Sequence, residues 1–186
     1  MPKSDGDEPA ALLGRFAAVR FAGGLPAECY AAFAARMNGT PMMGDWSPVG
    51  GTQVAERDGV VLDPASSRVV GLICSAPSQL VPGAGVVSLY FDGLEGGEIF
   101  CLEGALRYCG WLLHERYQVL HAEVLAVNRR MNRMLERLGV PRSALRRDAR
   151  YFGGRFWDIG LFVISPERFS EIAARWGALC GYAWAP

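Results

Sequence analysis

The sequence is poor in histidine and has no closely spaced cysteine pair, which excludes several kinds of site. Its five cysteines are odd in number and show no CxxC spacing, so we expect neither a disulfide framework nor a zinc site, and a reducing cytoplasm is favoured. We interpret them as small apolar core residues. They are Cys29, Cys74, Cys101, Cys109 and Cys180. His114 and His121 are the only histidines, so few residues could form a metal cluster or a Ser-His-Asp triad, and we expect no metal.

Long apolar runs are also lacking. No run approaches the roughly 20 residues that a bilayer-spanning helix needs, so no membrane association is expected. Residues 1–10 carry Asp5, Asp7 and Glu8 in place of an apolar signal core, which argues against export and predicts a disordered tail. Residues 11–186 are enough for one domain, which we expect to be a monomer or a homodimer.

Negative charge is scarce in one segment of a chain whose net charge is zero. Residues 107–155 hold eleven arginines and four acidic residues, a net charge of +7. Such a patch favours phosphates or an acidic partner, although a solvated helix face with local ion pairs explains it equally well. Because no nucleic-acid motif accompanies it, nucleic acid is an improbable partner.

The spacing of apolar residues predicts strands that alternate with helices. The predicted strands are 16–21, 60–62, 69–74, 86–91, 121–127, 146–151 and 156–164. Helices are predicted after Pro26, after a glycine-rich turn at 94–99, and after Asn128, where Met131, Met134, Leu135 and Leu138 follow helical spacing and Gly139 marks the end. The pattern indicates an α/β or α+β sheet protein with helices on its faces.

Two predicted helix starts contain residues with a possible binding or capping role. The turn Leu94-Glu95-Gly96-Gly97-Glu98-Ile99 follows a strand and opens a helix, where unpaired N–H groups and the helix dipole can hold phosphate. Asn128 is a plausible N-cap for the next helix.

These features resemble the GCN5-related N-acetyltransferases, in the RimJ/RimL-like branch, over about residues 14 to 168. The family turn reads Gln/Arg-x-x-Gly-x-Gly/Ala; with Glu103-Gly104-Ala105-Leu106 setting the register, it falls on Leu94, Gly97 and Ile99. Only Gly97 is kept, and Ile99 is expected to add bulk where a phosphate approaches. We therefore expect Ile99→Gly to strengthen coenzyme A binding. The match continues at Asn128, Glu136, Leu138 and Gly139, and in a closing hairpin with Gly154-Arg155-Phe156-Trp157-Asp158.

The resemblance implies a mixed, mostly antiparallel central sheet flanked by helices and a pantetheine thioester as acyl donor. The donor is acetyl-CoA or another acyl-CoA, or an acyl group on the phosphopantetheine arm of an acyl-carrier protein, which the altered turn would suit. The donor-binding residues that it implies are Leu89, Tyr90, Phe91, Gly96, Gly97, Glu98, Ile99, Phe100, Asn128 and Arg133.

Acyl transfer to an amine needs a base, a hydrogen-bond donor that stabilises the oxyanion, and a stable leaving thiol. By resemblance we favour Glu123 as the base, since a carboxylate in a half-buried strand would have a raised pKa; an exposed or salt-bridged glutamate is the alternative. Asp92 is the second candidate, and its alternative role is a turn residue. The positions where the family carries an acid hold Met131 and Leu135, which cannot donate a proton.

The acceptor pocket is the least readable part of the sequence. Its candidates, for which packing in the core or in loops is the alternative, are Met43, Asp45, Trp46, Tyr151 and Trp157. Taken together, the sequence predicts an N-acyltransferase acting on a small-molecule or peptide amine, attractive as a tailoring enzyme of specialised metabolism. A catalytically inactive binding or regulatory module of the same fold is the alternative.

Overall fold

A twisted sheet organises the described part of the chain. The computed structural model describes residues 11–26, 28–29, 31–33, 57–91, 97–152 and 154–183. Within them lie eight strands: β1 (Ala11–Leu13), β2 (Ala18–Phe21), β3 (Gly59–Leu62), β4 (Val69–Pro77), β5 (Ala84–Phe91), β6 (Val119–Leu125), β7 (Arg142–Phe152) and β8 (Arg155–Ile164). Their order is β1-β2-β3-β4-β5-β6-β8-β7. Among these strands β5 and β6 pair in parallel, and the other neighbours are antiparallel. The predicted mixed, mostly antiparallel sheet is confirmed.

Three α-helices lie beside the sheet in the described residues: α1 (Gly97–Glu115), α2 (Arg129–Arg137) and α3 (Pro166–Cys180). A short 3-10 turn covers Ala22–Gly24, and residues 28–29 and 31–33 are helical. The sequence interpretation missed α3. The Ser165 side chain caps it by accepting from the Arg168 N–H at 3.2 Å, Pro166 follows, and Gly181 ends it in a left-handed conformation at φ 62°. These are ordinary start and stop signals, so the helix was predictable.

Side chains alternate across the sheet, so each strand contributes to two faces. One, which we call the helix-covered face, packs on all three helices. Its core includes Val61, Ile73 and Val87 from the sheet, with Leu112 of α1 and Leu135 of α2. The other, the opposite face, packs over β3 and β4 around Phe33, which is 1% exposed. Phe33 comes from the short helical stretch that follows Pro26.

A buried carboxylate ties the N-terminal strands to α1. Glu103 is 0% exposed, and its oxygens accept from the backbone N–H groups of residues 15, 16 and 17 at 2.7, 2.5 and 2.6 Å. The Arg107 guanidinium donates to the same carboxylate at 3.0 and 3.2 Å. A side chain at Gly14 would come within 2.3 Å of the Glu103 carboxyl group, so glycine is required there. These bonds satisfy a buried charge that would otherwise be costly.

Most predicted elements agree with the structure to within a few residues. The core assignment of the cysteines is correct for Cys109 and Cys180, which are buried, and wrong for Cys29, which is exposed on the short helical stretch after Pro26. The proposed tail at residues 1–10 lies outside the described residues. No helix in the described ranges is long and apolar enough to cross a membrane.

Candidate functional site

The two parallel strands separate before either of them ends. β5 and β6 pair from Ala84 opposite Val119 to Val87 opposite Ala122. Beyond that point β5 remains paired with β4 as far as Phe91, and β6 remains paired with β8 as far as Leu125. A wedge-shaped opening, which we call the cleft, therefore lies between residues 88–91 and 123–125. Peptide groups of β5 on its β6 side are left without ladder partners in the described structure and can bond a ligand.

The start of α1 lies just beyond the cleft. The helix begins at Gly97, six residues after β5 ends, and its first turn includes the backbones of Glu98, Ile99 and Phe100. The first N–H groups of a helix lack internal partners, so this end can hold an anion. The Ile99 side chain is partly buried and packs against the core of the helix-covered face. Part of the side chain is thus occupied in packing, and the expectation that its bulk stands in the path of a phosphate stays a prediction.

Glu123 stands at the narrow end of the cleft. It is the first β6 residue beyond the parallel pairing, and strand alternation places it on the opposite face, level with Ser88 of β5. Its side chain is 41% exposed, and its Oε2 accepts from the Arg146 guanidinium at 3.0 Å. The expected half-buried position is wrong, because no described helix covers this part of the face. The alternative, a salt-bridged exposed glutamate, is what the structure contains, and catalysis by Glu123 stays a prediction.

A row of polar side chains crosses the opposite face at the same level. Cys74 of β4 pairs with Ser88, and the next position towards β3 is Asp58, which is 4% exposed. The Asp58 carboxylate accepts from the Ser75 N–H at 3.1 Å. Burial, together with the Asp58 charge and its hydrogen bond, raises the pKa of the Cys74 thiol far above its ordinary range. Cys74 is therefore a protonated hydrogen-bond donor and a poor nucleophile.

Tyr90 lies two residues further along β5, on the same face. Burial raises the pKa of its hydroxyl well above the ordinary value, while a hydrogen bond with Ser88 and the charge of Arg150 act in the other direction. The hydroxyl is thus neutral and able to donate at neutral pH. Because Arg150 belongs to β7, its charge reaches Tyr90 from the far side of the cleft.

The closing hairpin separates two predicted acceptor residues. In its register Arg150 pairs with Trp157 and Tyr151 pairs with Phe156, so Tyr151 and Trp157 point to different faces. Tyr151 is 58% exposed and meets Phe156 edge-on at 5.2 Å between ring centroids. Trp157 is partly buried on the side of Arg150, with the Arg155 guanidinium 3.6 Å from its ring centroid. The structure does not bring the two aromatic residues together.

Helix α2 lies on the helix-covered side. It has no hydroxyl at positions 131 and 135, where the resembling family carries its acid. Asn128 caps it by accepting from the Met131 N–H at 3.0 Å, which confirms the predicted cap, and Gly139 ends it at φ 79°. Leu135 is 3% exposed and Met131 packs against the same core. Arg133 is exposed.

The remaining predicted site residues lie outside the described residues. They are Met43, Asp45, Trp46, Asp92 and Gly96, together with Leu94 of the turn. Nor do the described residues contain a group of three or more metal-binding side chains.

Solved structures to which this chain is similar include several acetyltransferases. An N-acetyltransferase from Brucella melitensis superposes with a TM-score of 0.70 at 14% identity, covering 95% of this chain and 87% of that one. A ribosomal-protein-S5-alanine acetyltransferase from Vibrio fischeri gives 0.68 at 15% identity, with coverages of 96% and 100%. A spermidine N-acetyltransferase chimera from Vibrio cholerae and hSSAT gives 0.66 at 14%, with coverages of 82% and 97%.

The fold is that of the GCN5-related N-acetyltransferases. No protein-family profile matches the sequence, and no curated protein matches it. At such low identity the likeness concerns the N-acetyltransferase fold alone, and the chemistry must be argued from the residues of this chain.

Three features of this N-acetyltransferase fold suit a pantetheine thioester. The cleft exposes β5 peptide groups that can pair with the amides of a pantetheine arm. The first turn of α1, beginning at Gly97, follows directly and can meet phosphate. The Ile99 side chain in that turn packs in part against the core. A donor with or without a nucleotide is therefore compatible with the described residues.

Sequence reasoning missed three side chains of the site, Ser88, Arg146 and Arg150. Ser88 and Arg150 gave no local signal, because the cleft that they flank exists only once β5, β6 and β8 are assembled in one sheet. Arg146 lies 23 residues from Glu123. It could have been found only by placing β7 beside β8 in the correct register.

Proposed function

We propose that this protein is an N-acyltransferase that moves an acyl group from a pantetheine thioester to a primary amine. The observation that carries the proposal is the cleft between β5 and β6, with a helix start on one side of the sheet and Glu123 on the other. A donor can enter from the α1 side and an acceptor from the opposite face, so the two substrates meet at the strand separation.

In this proposal Glu123 takes the proton from the attacking amine. The ion pair with Arg146, at 3.0 Å, fixes the carboxylate through Oε2 and leaves Oε1 for the substrate. The amine nitrogen bonds to the thioester carbon, the proton goes to Glu123, and the carbon–sulfur bond breaks. N–H groups of β5 that face the cleft stabilise the carbonyl oxygen as its charge grows.

The leaving sulfur needs no acid from α2. A thiol has a pKa of about 8.5, so it can leave as a thiolate and take its proton from water afterwards. This explains how the site tolerates Leu135 and Met131, which face the core. Asp92 remains a proposed second base.

The donor is acetyl-CoA, another acyl-CoA, or an acyl-carrier protein, whose acidic surface would suit the arginine-rich segment at 107–155. Cytoplasmic tailoring of a specialised metabolite is the setting we propose. Calorimetric titration with acetyl-CoA beside a nucleotide-free acyl-pantetheine distinguishes the donors. Binding of only the coenzyme A form identifies phosphate as a determinant, and equal binding points to a carrier protein.

The test of the proposal is Glu123→Gln, measured as turnover of an amine panel with the donor so identified. Loss of a general base lowers kcat by about 10²- to 10⁴-fold. Glu115→Gln is the matched control, since Glu115 is also 41% exposed and has a nitrogen side chain beside it, His114 at 3.3 Å, but lies at the far end of α1. Full turnover by Glu123→Gln would remove Glu123 from the mechanism.

A non-catalytic binding module is the second candidate. It is favoured by the absence of a proton donor at Met131 and Leu135 and by the ion pair that already engages Glu123. Donor binding without turnover of any amine would support it.

A further inference from the structure

Arg150 is set apart from the other arginines of its strand. Arg142, Arg146 and Arg147 are exposed, whereas Arg150 is partly buried. In the described part of the chain, Arg146 is paired with Glu123, while no carboxylate pairs with Arg150. A partly desolvated guanidinium without a counter-charge is unfavourable, which makes Arg150 a candidate for binding an anionic ligand.

The hairpin places Arg150 at the wide end of the cleft. A bulge between Arg146 and Arg150 inserts extra residues into β7, with Asp148 at φ 47° and its N–H donating to the Asp158 carboxylate at 3.0 Å. Arg150 consequently pairs with Trp157, two residues beyond Ile159, the last β8 residue to face β6. At this level β6 has ended, so among the described strands β8 alone lies between Arg150 and the cleft.

Tyr90 supplies a second group on the other side of the same opening. It lies on the opposite face, as Arg150 does, and the Arg150 charge acts on its hydroxyl. Ser88, one position back on that face of β5, hydrogen-bonds with Tyr90. A guanidinium fork and a phenolic O–H together match the oxygens of a carboxylate.

The phosphates of the donor are not the ligand of this pair. They are expected at the first turn of α1, which packs on the helix-covered face, whereas Arg150 and Tyr90 face the other side of the sheet. The anion must therefore belong to the acceptor.

We propose that the acceptor is an amine that carries a carboxylate, bound by Arg150 and Tyr90 while Glu123 faces the amino group. This rests on the proposed function and names its substrate class. Glu123 pairs with Leu161 and Arg150 with Trp157, so four residues of β8, about 13 Å, separate the two levels. The amine and the carboxylate are therefore separated by several bonds, as in ω-amino acids and short peptides.

The experiment compares acids with their amides. The acceptors are glycine, β-alanine, γ-aminobutyrate, 6-aminohexanoate and two dipeptides, each beside its carboxamide, with kcat/KM measured for each. For the wild-type protein we expect the acid to exceed its amide by about 10- to 100-fold in at least the longer pairs, as one charge-assisted pair allows. Arg150→Gln should reduce that ratio to near one through the KM of the acid.

Two further variants make the result specific. Arg147→Gln, which removes an exposed arginine from the same strand, should leave the ratio unchanged. Tyr90→Phe, which keeps the ring in its packing, should lower the ratio by several-fold. A ratio that falls equally in Arg147→Gln would show a general charge effect and overturn the assignment to Arg150.

The inference and the proposed function can fail separately. Turnover of acids and amides at equal rates by the wild-type protein overturns the carboxylate site and leaves the transferase intact. If no amine is turned over, the proposed function fails, and calorimetric titration of the N-acetylated acids and amides still decides the site. Equal binding of both would overturn it, whereas preference for the acids that Arg150→Gln abolishes would sustain it.

Discussion

Two glutamates on different sides of the sheet behave as different chemical groups. Glu103, on the helix-covered side, is fully buried and receives five hydrogen bonds, three of them from backbone N–H groups. Glu123, at the cleft, is 41% exposed and in the described structure receives one, from Arg146. A carboxylate with all its acceptor positions filled can only hold structure together, whereas one with acceptor capacity left can meet a substrate.

The largest effect is expected for Glu103→Ala, which tests whether the buried carboxylate is required for stability. Removing it leaves the Arg107 charge and three backbone N–H groups, one of them at buried Ala17, without their partner, so the free energy of unfolding should fall by about 3–5 kcal/mol. Chemical denaturation measures it. Glu136→Ala, at an exposed glutamate of α2, should change it by less than about 0.5 kcal/mol. A loss below 1 kcal/mol in Glu103→Ala would show that the N-terminal strands do not depend on this carboxylate.

The role of Glu103 shows what the sequence could not reveal. Its position in α1 was recognised from the pattern around Gly104, but its partners lie 86 to 88 residues earlier in the chain. Such contacts depend on how the first strands fold back, and no local spacing records that. Asn128 is the opposite case, because its cap is made within three residues and was predicted correctly.

The cleft, too, has features that the sequence predicted and features that it could not predict. Alternating apolar residues predicted β5 and β6, and they could not predict that the two strands separate after Val87 and Ala122. The exposure of Glu123 was misjudged for a related reason, since burial of a strand residue depends on what covers that face. The missed helix α3 is different, because Ser165, Pro166 and Gly181 gave a local signal that was sufficient.

A second test measures how the stability of the core depends on pH. Burial raises the pKa of the Cys109 thiol to about 12, against an ordinary 9.0, and raises the pKa of Tyr108 above its usual range. The unfolded chain releases these protons first, from about pH 9 for the thiol and from about pH 10 for the phenol, so the stability that each supports is present below that pH and is lost as the pH rises towards its folded-state pKa. Each group should contribute a loss of about 1.4 kcal/mol per pH unit within that window.

Urea denaturation at a series of pH values from 8 to 11 measures this loss. Cys109→Ala is the control: it lowers stability at every pH but should reduce the slope by about 1.4 kcal/mol per pH unit above pH 9. An unchanged slope would mean that the Cys109 thiol ionises in the folded protein as readily as in the unfolded chain.

The smallest expected effect concerns Ile99, which belongs to both regions because it starts α1 beside the cleft and packs against the core. Truncation in Ile99→Ala removes partly buried methyl groups, so we expect a loss of about 1–2 kcal/mol in the free energy of unfolding. Because the side chain packs in part against the core, coenzyme A affinity should not rise, in contrast to the expectation from the sequence. Calorimetric titration of the folded variant measures the affinity, and Leu102→Ala, one turn further along α1, controls for loss of packing. Tighter coenzyme A binding in Ile99→Ala, with stability unchanged, would show that the side chain obstructs the phosphate path after all.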